Sequence, residues 1–161
     1  MGDHTETVQL DYDPRMVSYQ ELLEVFWRGH APTRRSWSRQ YMAAVFYDSD
    51  EQRKLAEVSK EQLEDELGRE VLTRVLPLRS FTYAEDYHQK YRLRREEVVL
   101  RDLMHYFDKE REFIHSTAAS KLNGYLYGCG SLELLRSELG GLGLSDEGNE
   151  RVIEVVRALD G

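Results

Sequence analysis

The sequence predicts a two-layer sandwich of the α/β or α+β class, followed by an α-helical C-terminal tail. Three observations predict it. Residues 5–12, TETVQLDY, alternate in polarity. Residues 41–48 and 71–76 are apolar runs bounded by turn residues. Beyond residue 84 the spacing of apolar residues is helical. Strands separated by amphipathic helices need a second layer to cover the apolar face of their sheet.

In the first element, Glu6, Val8, Leu10 and Tyr12 share one face and Thr5, Thr7, Gln9 and Asp11 the other. That is the period of a half-buried strand, and Asp13-Pro14 ends it. Ser18 followed by Glu21 is a capping box. It opens a helix to about Arg28, with Leu22, Leu23, Phe26 and Trp27 inward and Gly29 as the stop. HAPTRRSWSR, 30–39, is loop. YMAAVFYD, 41–48, is a largely apolar and therefore central strand. Asp48 or Ser49 caps a helix over 50–67 with Leu55, Val58 and Leu63 on one stripe, and Gly68 closes it. VLTRVL, 71–76, is a third strand, stopped by Pro77. In the tail, Val99, Leu100, Leu103 and Phe107 form one stripe, and Asp108 is expected to cap a helix carrying Phe113 and Ile114. Ser131 and Ser145 are expected to cap the last two helices, the final one with Val152, Ile153, Val156 and Leu159 inward.

A chain of 161 residues with 40% hydrophobic and 32% charged residues is long enough for a real core and too apolar for disorder. The net charge of −8 argues against nucleic acid as a partner, since phosphates repel it. Arg34-Arg35 and the Arg92–Arg95 cluster read as solvated faces. Cys129 is the sole cysteine, so no internal disulfide and no paired-cysteine zinc site can form, and a reducing, cytoplasmic setting is the simplest fit. The polar N-terminus does not read as a signal or transit peptide. No apolar run approaches the ~20 residues a membrane span needs. The five histidines show no ligand spacing, so no metal is expected.

Several residues carry candidate chemistry. Glu6 sits on the apolar face of its strand beside Val8 and Leu10. Desolvation there disfavours the carboxylate and raises its pKa, which makes a general acid; the plainer alternative is a strand-end glutamate in water. Tyr41, Tyr83, Tyr87 and Tyr91 offer phenolic donors. Tyr87 and Tyr91 are four apart, on one helical face, with His88 between them; packing is the alternative role. Cys129, in a Gly-Cys-Gly-Ser turn ahead of a helix start, is either an activated thiol or an incidental one.

GDHTETVQLDYDP, VSYQELLEVFWRGHAPT, RQYMAAVFY and FTYAEDYHQKY, in this order and spacing, resemble the peptide methionine sulfoxide reductase A family over residues 2 to about 94. The later SxAASKLNGYLYGCG is similar to C-terminal extensions of animal members. The resemblance implies a ferredoxin-like two-layer core at 1–94, lacking its first strand, and a helical extension at 95–161 packed on it. It implies reduction of methionine S-sulfoxide, free or in proteins. A thiolate attacks the sulfoxide sulfur, a glutamic acid and tyrosines bind and protonate the oxygen, and a second thiol and then thioredoxin restore the enzyme. On this chain the acid falls on Glu6 and an oxygen-binding tyrosine on Tyr41. The AEDYHQ segment places Tyr87 and His88 near the substrate, Trp37 offers apolar pocket surface, and Cys129 matches a resolving-type thiol. No bound cofactor is implied; thioredoxin or another thiol is the reductant, and the expected form is a monomer. The family's nucleophile lies in a Gly-Cys-Phe-Trp-Gly motif upstream of GDHTE, and this sequence does not contain that motif. The chain therefore reads as an N-terminally shortened relative. A reductase, a catalytically dead binding module and a truncated isoform all remain open at this point.

Overall fold

Ser18 opens the first helix as a complete capping box: its side chain accepts from the Glu21 N–H, and the Glu21 carboxylate accepts from the Ser18 N–H at 2.7 Å. In the computed structural model, which describes residues 4–159, the chain divides into two units, one ending at Phe81 and one beginning at Thr82.

The first unit is a helix followed by a strand–helix–strand motif: α1 (Tyr19–Arg28), β1 (Ala44–Tyr47), α2 (Asp50–Leu67) and β2 (Arg74–Pro77). The strands pair in parallel, Ala44 opposite Arg74 through Tyr47 opposite Pro77. A parallel pair needs a long crossover, which α2 supplies. Ser49 caps α2 by accepting from the Gln52 N–H, and Gly68 ends it at φ +62°, a conformation glycine adopts without steric cost. Leu23, Trp27, Ala56 and Val71 form the core, with Leu55, Leu63, Val45 and Val75 packed against them. The Trp27 indole N–H donates to Ser59 Oγ at 3.0 Å, and that hydroxyl donates to the Ala56 carbonyl. The buried face of α2 therefore runs through Ala56, Ser59 and Leu63. Val58, expected inward, lies across the helix from Ala56 and is 49% exposed.

Residues 5–12 are not a strand. Val8 and Leu10 are 81% and 62% exposed. Alternation supplies a face, but a strand also needs a neighbour to complete its hydrogen bonds, and here the Glu6 N–H bonds to the Gln40 carbonyl of a loop, at 3.0 Å, with no ladder formed among the described residues. The fold is thus mixed helix and sheet, with a two-stranded parallel sheet among the described residues.

The second unit is helical: α3 (Glu97–Met104), α4 (Glu110–His115), α5 (Thr117–Tyr125), α6 (Leu132–Glu138) and α7 (Asp146–Leu159). Leu93, Val99, Leu103, Phe113, Leu122, Leu135, Val152 and Val156 build its core. Ser116 and Ser131 cap α5 and α6, and Ser145 accepts from the Gly148 N–H in the first turn of α7. Asp108 does not cap α4: the cap position is Lys109, with no side-chain bond. Leu159, expected inward, is 52% exposed. Gly148 has a steric reason, since a Cβ there would stand 2.3 Å from Asp102 Oδ2.

Residues 82–94, grouped by sequence with the N-terminal domain, belong to this second unit. Asn123 Oδ1 on α5 accepts from the N–H groups of Arg92 and Leu93, Lys90 Nζ donates to Ser120 Oγ at 2.8 Å, and Leu93 is fully buried. The aromatic-rich segment is therefore pinned to α5 as a packing element. Among the described residues no helix is long and apolar enough to cross a membrane.

Candidate functional site

The site forms where the N-terminal segment meets the loop that leads into β1. That loop is held from below by His30. Its Nδ1 lies 2.8 Å from the Phe26 carbonyl, which can only accept, so Nδ1 carries the proton; Nε2, 2.8 Å from Thr73 Oγ1, then accepts from that hydroxyl in the neutral ring. Thr73 is buried, at 1% exposure. The His30 ring also packs on Phe26 and Trp27, at 4.5 and 5.7 Å between centroids. The Leu72 N–H donates to the Pro32 carbonyl at 2.8 Å. The FW-x-x-H-x-PT run thus fastens the end of α1 to the approach of β2, and its histidine is a structural residue.

From this anchor the loop folds on itself. Ser36 Oγ donates to the Ser38 carbonyl and the Met42 N–H to the Arg39 carbonyl. The N-terminal segment then lies on residues 39–40. Thr5 Oγ1 donates to the Arg39 carbonyl at 3.1 Å, the Glu6 N–H to the Gln40 carbonyl at 3.0 Å, and Gln40 Nε2 to Glu6 Oε1 at 2.9 Å. Glu6 is thereby fixed one residue from Tyr41, whose ring lies 5.0 Å from that of Trp37 at a tilt of 33°. Tyr41 is 49% exposed and Trp37 78% exposed. Of the expected site residues, Trp37 and Tyr41 are therefore in ring contact, and Glu6 is bonded to Gln40, the residue next to Tyr41 in the chain.

Glu6 is held by hydrogen bonds rather than by burial. Its carboxyl is exposed, as are Val8 and Leu10 beside it, so the expected desolvation is absent. An amide N–H from Gln40 positions it instead. Gln40 escaped the sequence reading because nothing local marks it; only the approach of residues 5–6 gives it a role.

Tyr87, His88 and Cys129 lie in the second unit. Tyr87 and His88 share the 3-10 turn Asp86–His88, with ring centroids 4.2 Å apart, and His88 Nε2 is 3.9 Å from Glu85. Tyr87 and Tyr91 do not share a helical face: Lys90, at φ +54°, interrupts the backbone between them. Tyr91 instead lies beneath Arg95, whose guanidinium is 5.5 Å from the ring centre. Cys129 is exposed between Gly128 and Gly130, at φ +90° and +88°, and its N–H donates to the Gly124 carbonyl. No cluster of histidine, cysteine and carboxylate side chains among the described residues is arranged to hold a metal.

The second unit also contains a tight polar network. Tyr125 donates to Glu138 Oε2 at 2.7 Å and Lys121 Nζ to Glu138 Oε1 at 2.5 Å. Burial, together with the hydrogen bond and the charge of Glu138, pushes the Tyr125 phenol up to about 12. The bonds from Lys121 and Tyr125 hold the Glu138 carboxyl below its ordinary value.

The sequence model of the family described as peptide methionine sulfoxide reductase matches residues 1–122. A peptide methionine sulfoxide reductase of Drosophila melanogaster is 36% identical over 152 residues, which cover 90% of this chain and 58% of the fly protein. Peptide methionine sulfoxide reductase A5 of Oryza sativa subsp. japonica is 37% identical over 131 residues, 78% of this chain and 51% of the rice protein. A peptide methionine sulfoxide reductase MsrA of Methanosarcina mazei is 43% identical over 95 residues, 55% of this chain and 45% of its own length. The chain belongs to the peptide methionine sulfoxide reductase family. It spans about half the length of the curated relatives it matches.

Proposed function

We propose that this chain takes part in the thiol-dependent reduction of methionine S-sulfoxide, in proteins or as the free amino acid, with Glu6 as the proton donor and Tyr41 as a hydrogen-bond donor to the sulfoxide oxygen. A thiolate attacks the sulfoxide sulfur. The attack forms an S–S bond while the oxygen takes up the proton of Glu6; the protonated oxygen then passes to the attacking sulfur as the S–S bond and the S–O bond to methionine break, which leaves a sulfenic acid and releases the thioether. A second thiol condenses with the sulfenic acid, expelling water and leaving a disulfide, which thioredoxin or another dithiol reduces. The observation that carries this reading is the pair of hydrogen bonds between Glu6 and Gln40, the neighbour of Tyr41, in a chain of this family. A preset carboxyl and phenol stabilise charge developing on oxygen without reorganising at the moment of reaction. On the same reading, the strand–helix–strand motif is part of a two-layer, ferredoxin-like sandwich, and Trp37 contributes apolar contact for the substrate.

Turnover of dabsylated methionine S-sulfoxide with dithiothreitol tests it. We expect product formation that falls by about 10²-fold in Glu6→Gln, the scale of one general acid. Turnover equal in wild type and Glu6→Gln contradicts the assignment.

A second reading is favoured by the single thiol: Cys129, in the second unit, is the one cysteine of the 161 residues. On that reading the chain is a module that binds oxidised methionine without reducing it. Sulfoxide binding in the absence of turnover, unchanged by Cys129→Ser, supports it.

A further inference from the structure

Residues 25–47 contain no Asp or Glu and four arginines, Arg28, Arg34, Arg35 and Arg39, in a chain whose net charge is −8. Arg28 is committed to Glu24 at 2.8 Å. Arg15, Arg53, Arg94, Arg101 and Arg151 likewise hold carboxylates. Arg34 and Arg35 are exposed and form no ion pair among the described residues. Between them and Tyr41 stands Trp37, 78% exposed and in ring contact with Tyr41. An exposed aromatic that closely follows two unpaired arginines in the chain combines the residue types enriched at binding hot spots.

From this juxtaposition we infer that the 34–41 loop is a docking surface for polypeptide segments in which acidic residues flank the methionine. This rests on the proposed function for the position of the sulfoxide and deepens it by naming a substrate class. The occupant follows from charge: residues 25–47 carry four arginines and no carboxylate of their own on a protein of net charge −8, with Glu6 a carboxyl bonded to the loop at Gln40. A long polyanion such as nucleic acid meets the repulsion of the whole chain, whereas a short acidic segment meets the loop alone. Trp37 supplies apolar contact to the segment, and Arg34 and Arg35 pair with carboxylates on either side of it. Exposed ion pairs are individually weak, so the preference is modest and sensitive to salt.

Calorimetry with peptides of one length tests this, varying two features independently: acidic or basic flanks, and methionine or its S-sulfoxide. At low ionic strength we expect acidic flanks to tighten binding by about 5- to 10-fold, with either form of methionine. The preference disappears at high salt and in Arg34→Ala/Arg35→Ala, and survives in Arg34→Lys/Arg35→Lys. Circular dichroism of each variant confirms the native fold, and the exposed positions make its loss unexpected. Equal affinity for acidic and basic flanks overturns the docking surface, as does a preference that survives the double alanine variant. The effect of oxidation is read separately: a flank preference without an oxidation preference removes the sulfoxide reading and leaves the docking surface, and the converse removes the docking surface alone.

Discussion

Gln40 holds Glu6 twice, through its carbonyl, which accepts the Glu6 N–H at 3.0 Å, and through its side-chain amide, which donates to Oε1 of the Glu6 carboxyl group at 2.9 Å. Backbone and functional group of the candidate acid are thus set by one residue, the neighbour of Tyr41. Gln40→Ala keeps the backbone bond and removes the side-chain bond, so Glu6 gains rotamer freedom. We expect a loss in kcat of about 3- to 10-fold with the fold intact, since a net hydrogen bond is worth about 1 kcal/mol. Steady-state kinetics with methionine sulfoxide, with circular dichroism as control, checks it.

His30 ties α1 to the lead-in of β2 through the Phe26 carbonyl and Thr73. His30→Ala leaves a buried threonine hydroxyl without this partner and removes a ring packed on Phe26 and Trp27. The expected destabilisation is about 2 kcal/mol, read as a shift of the urea midpoint at unchanged slope. His30→Gln, which can both donate and accept, should recover part of it.

Asp102 accepts both the N–H of Ser145, at 3.0 Å, and its hydroxyl, at 2.6 Å, linking α3 to the start of α7. The Ser145 hydroxyl bond, first among the causes, holds the Asp102 carboxyl below its ordinary value. A depressed carboxyl contributes stability that is complete above its unfolded pKa and is lost as pH falls through the folded one. Asp102→Asn should therefore flatten the acid limb of the stability curve below about pH 4. Thermal unfolding across that range measures this. Gly148→Ala drives a methyl into the same carboxylate and should cost about 1–3 kcal/mol.

Tyr125 should ionise above the ordinary phenol range, since burial and the bond to Glu138 both oppose its deprotonation. Its folded value near 12 lies above the ordinary phenol. The stability it contributes is present below an unfolded pKa of about 10 and is lost as pH rises through the folded value. Ultraviolet titration of tyrosinate should show a late component that is absent in Tyr125→Phe.

Elements whose signals are local could be read from the sequence alone. The Ser18–Glu21 box, the Ser49, Ser131 and Ser145 caps and the Gly68 stop all appear where expected, because a cap is chemistry within a few residues. Residues 5–12 show the limit: alternation says which side chains share a face, and no local signal says whether a neighbouring strand exists. Val58 failed for a related reason, since the face α2 buries is chosen by Trp27 reaching Ser59 from another helix. Glu6 and Tyr41 stand as candidates through the family resemblance alone. The physical argument for Glu6 depended on burial, and the carboxyl is exposed. Gln40, bonded to Glu6 and next to Tyr41 in the chain, is visible in that role only once the chain is folded.

The most direct test is calorimetric titration of one peptide, in its methionine S-sulfoxide and unoxidised forms, into wild type and Glu6→Gln. The account predicts tighter binding of the oxidised peptide by wild type and loss of that difference in the variant. Equal affinity of wild type for both forms contradicts it.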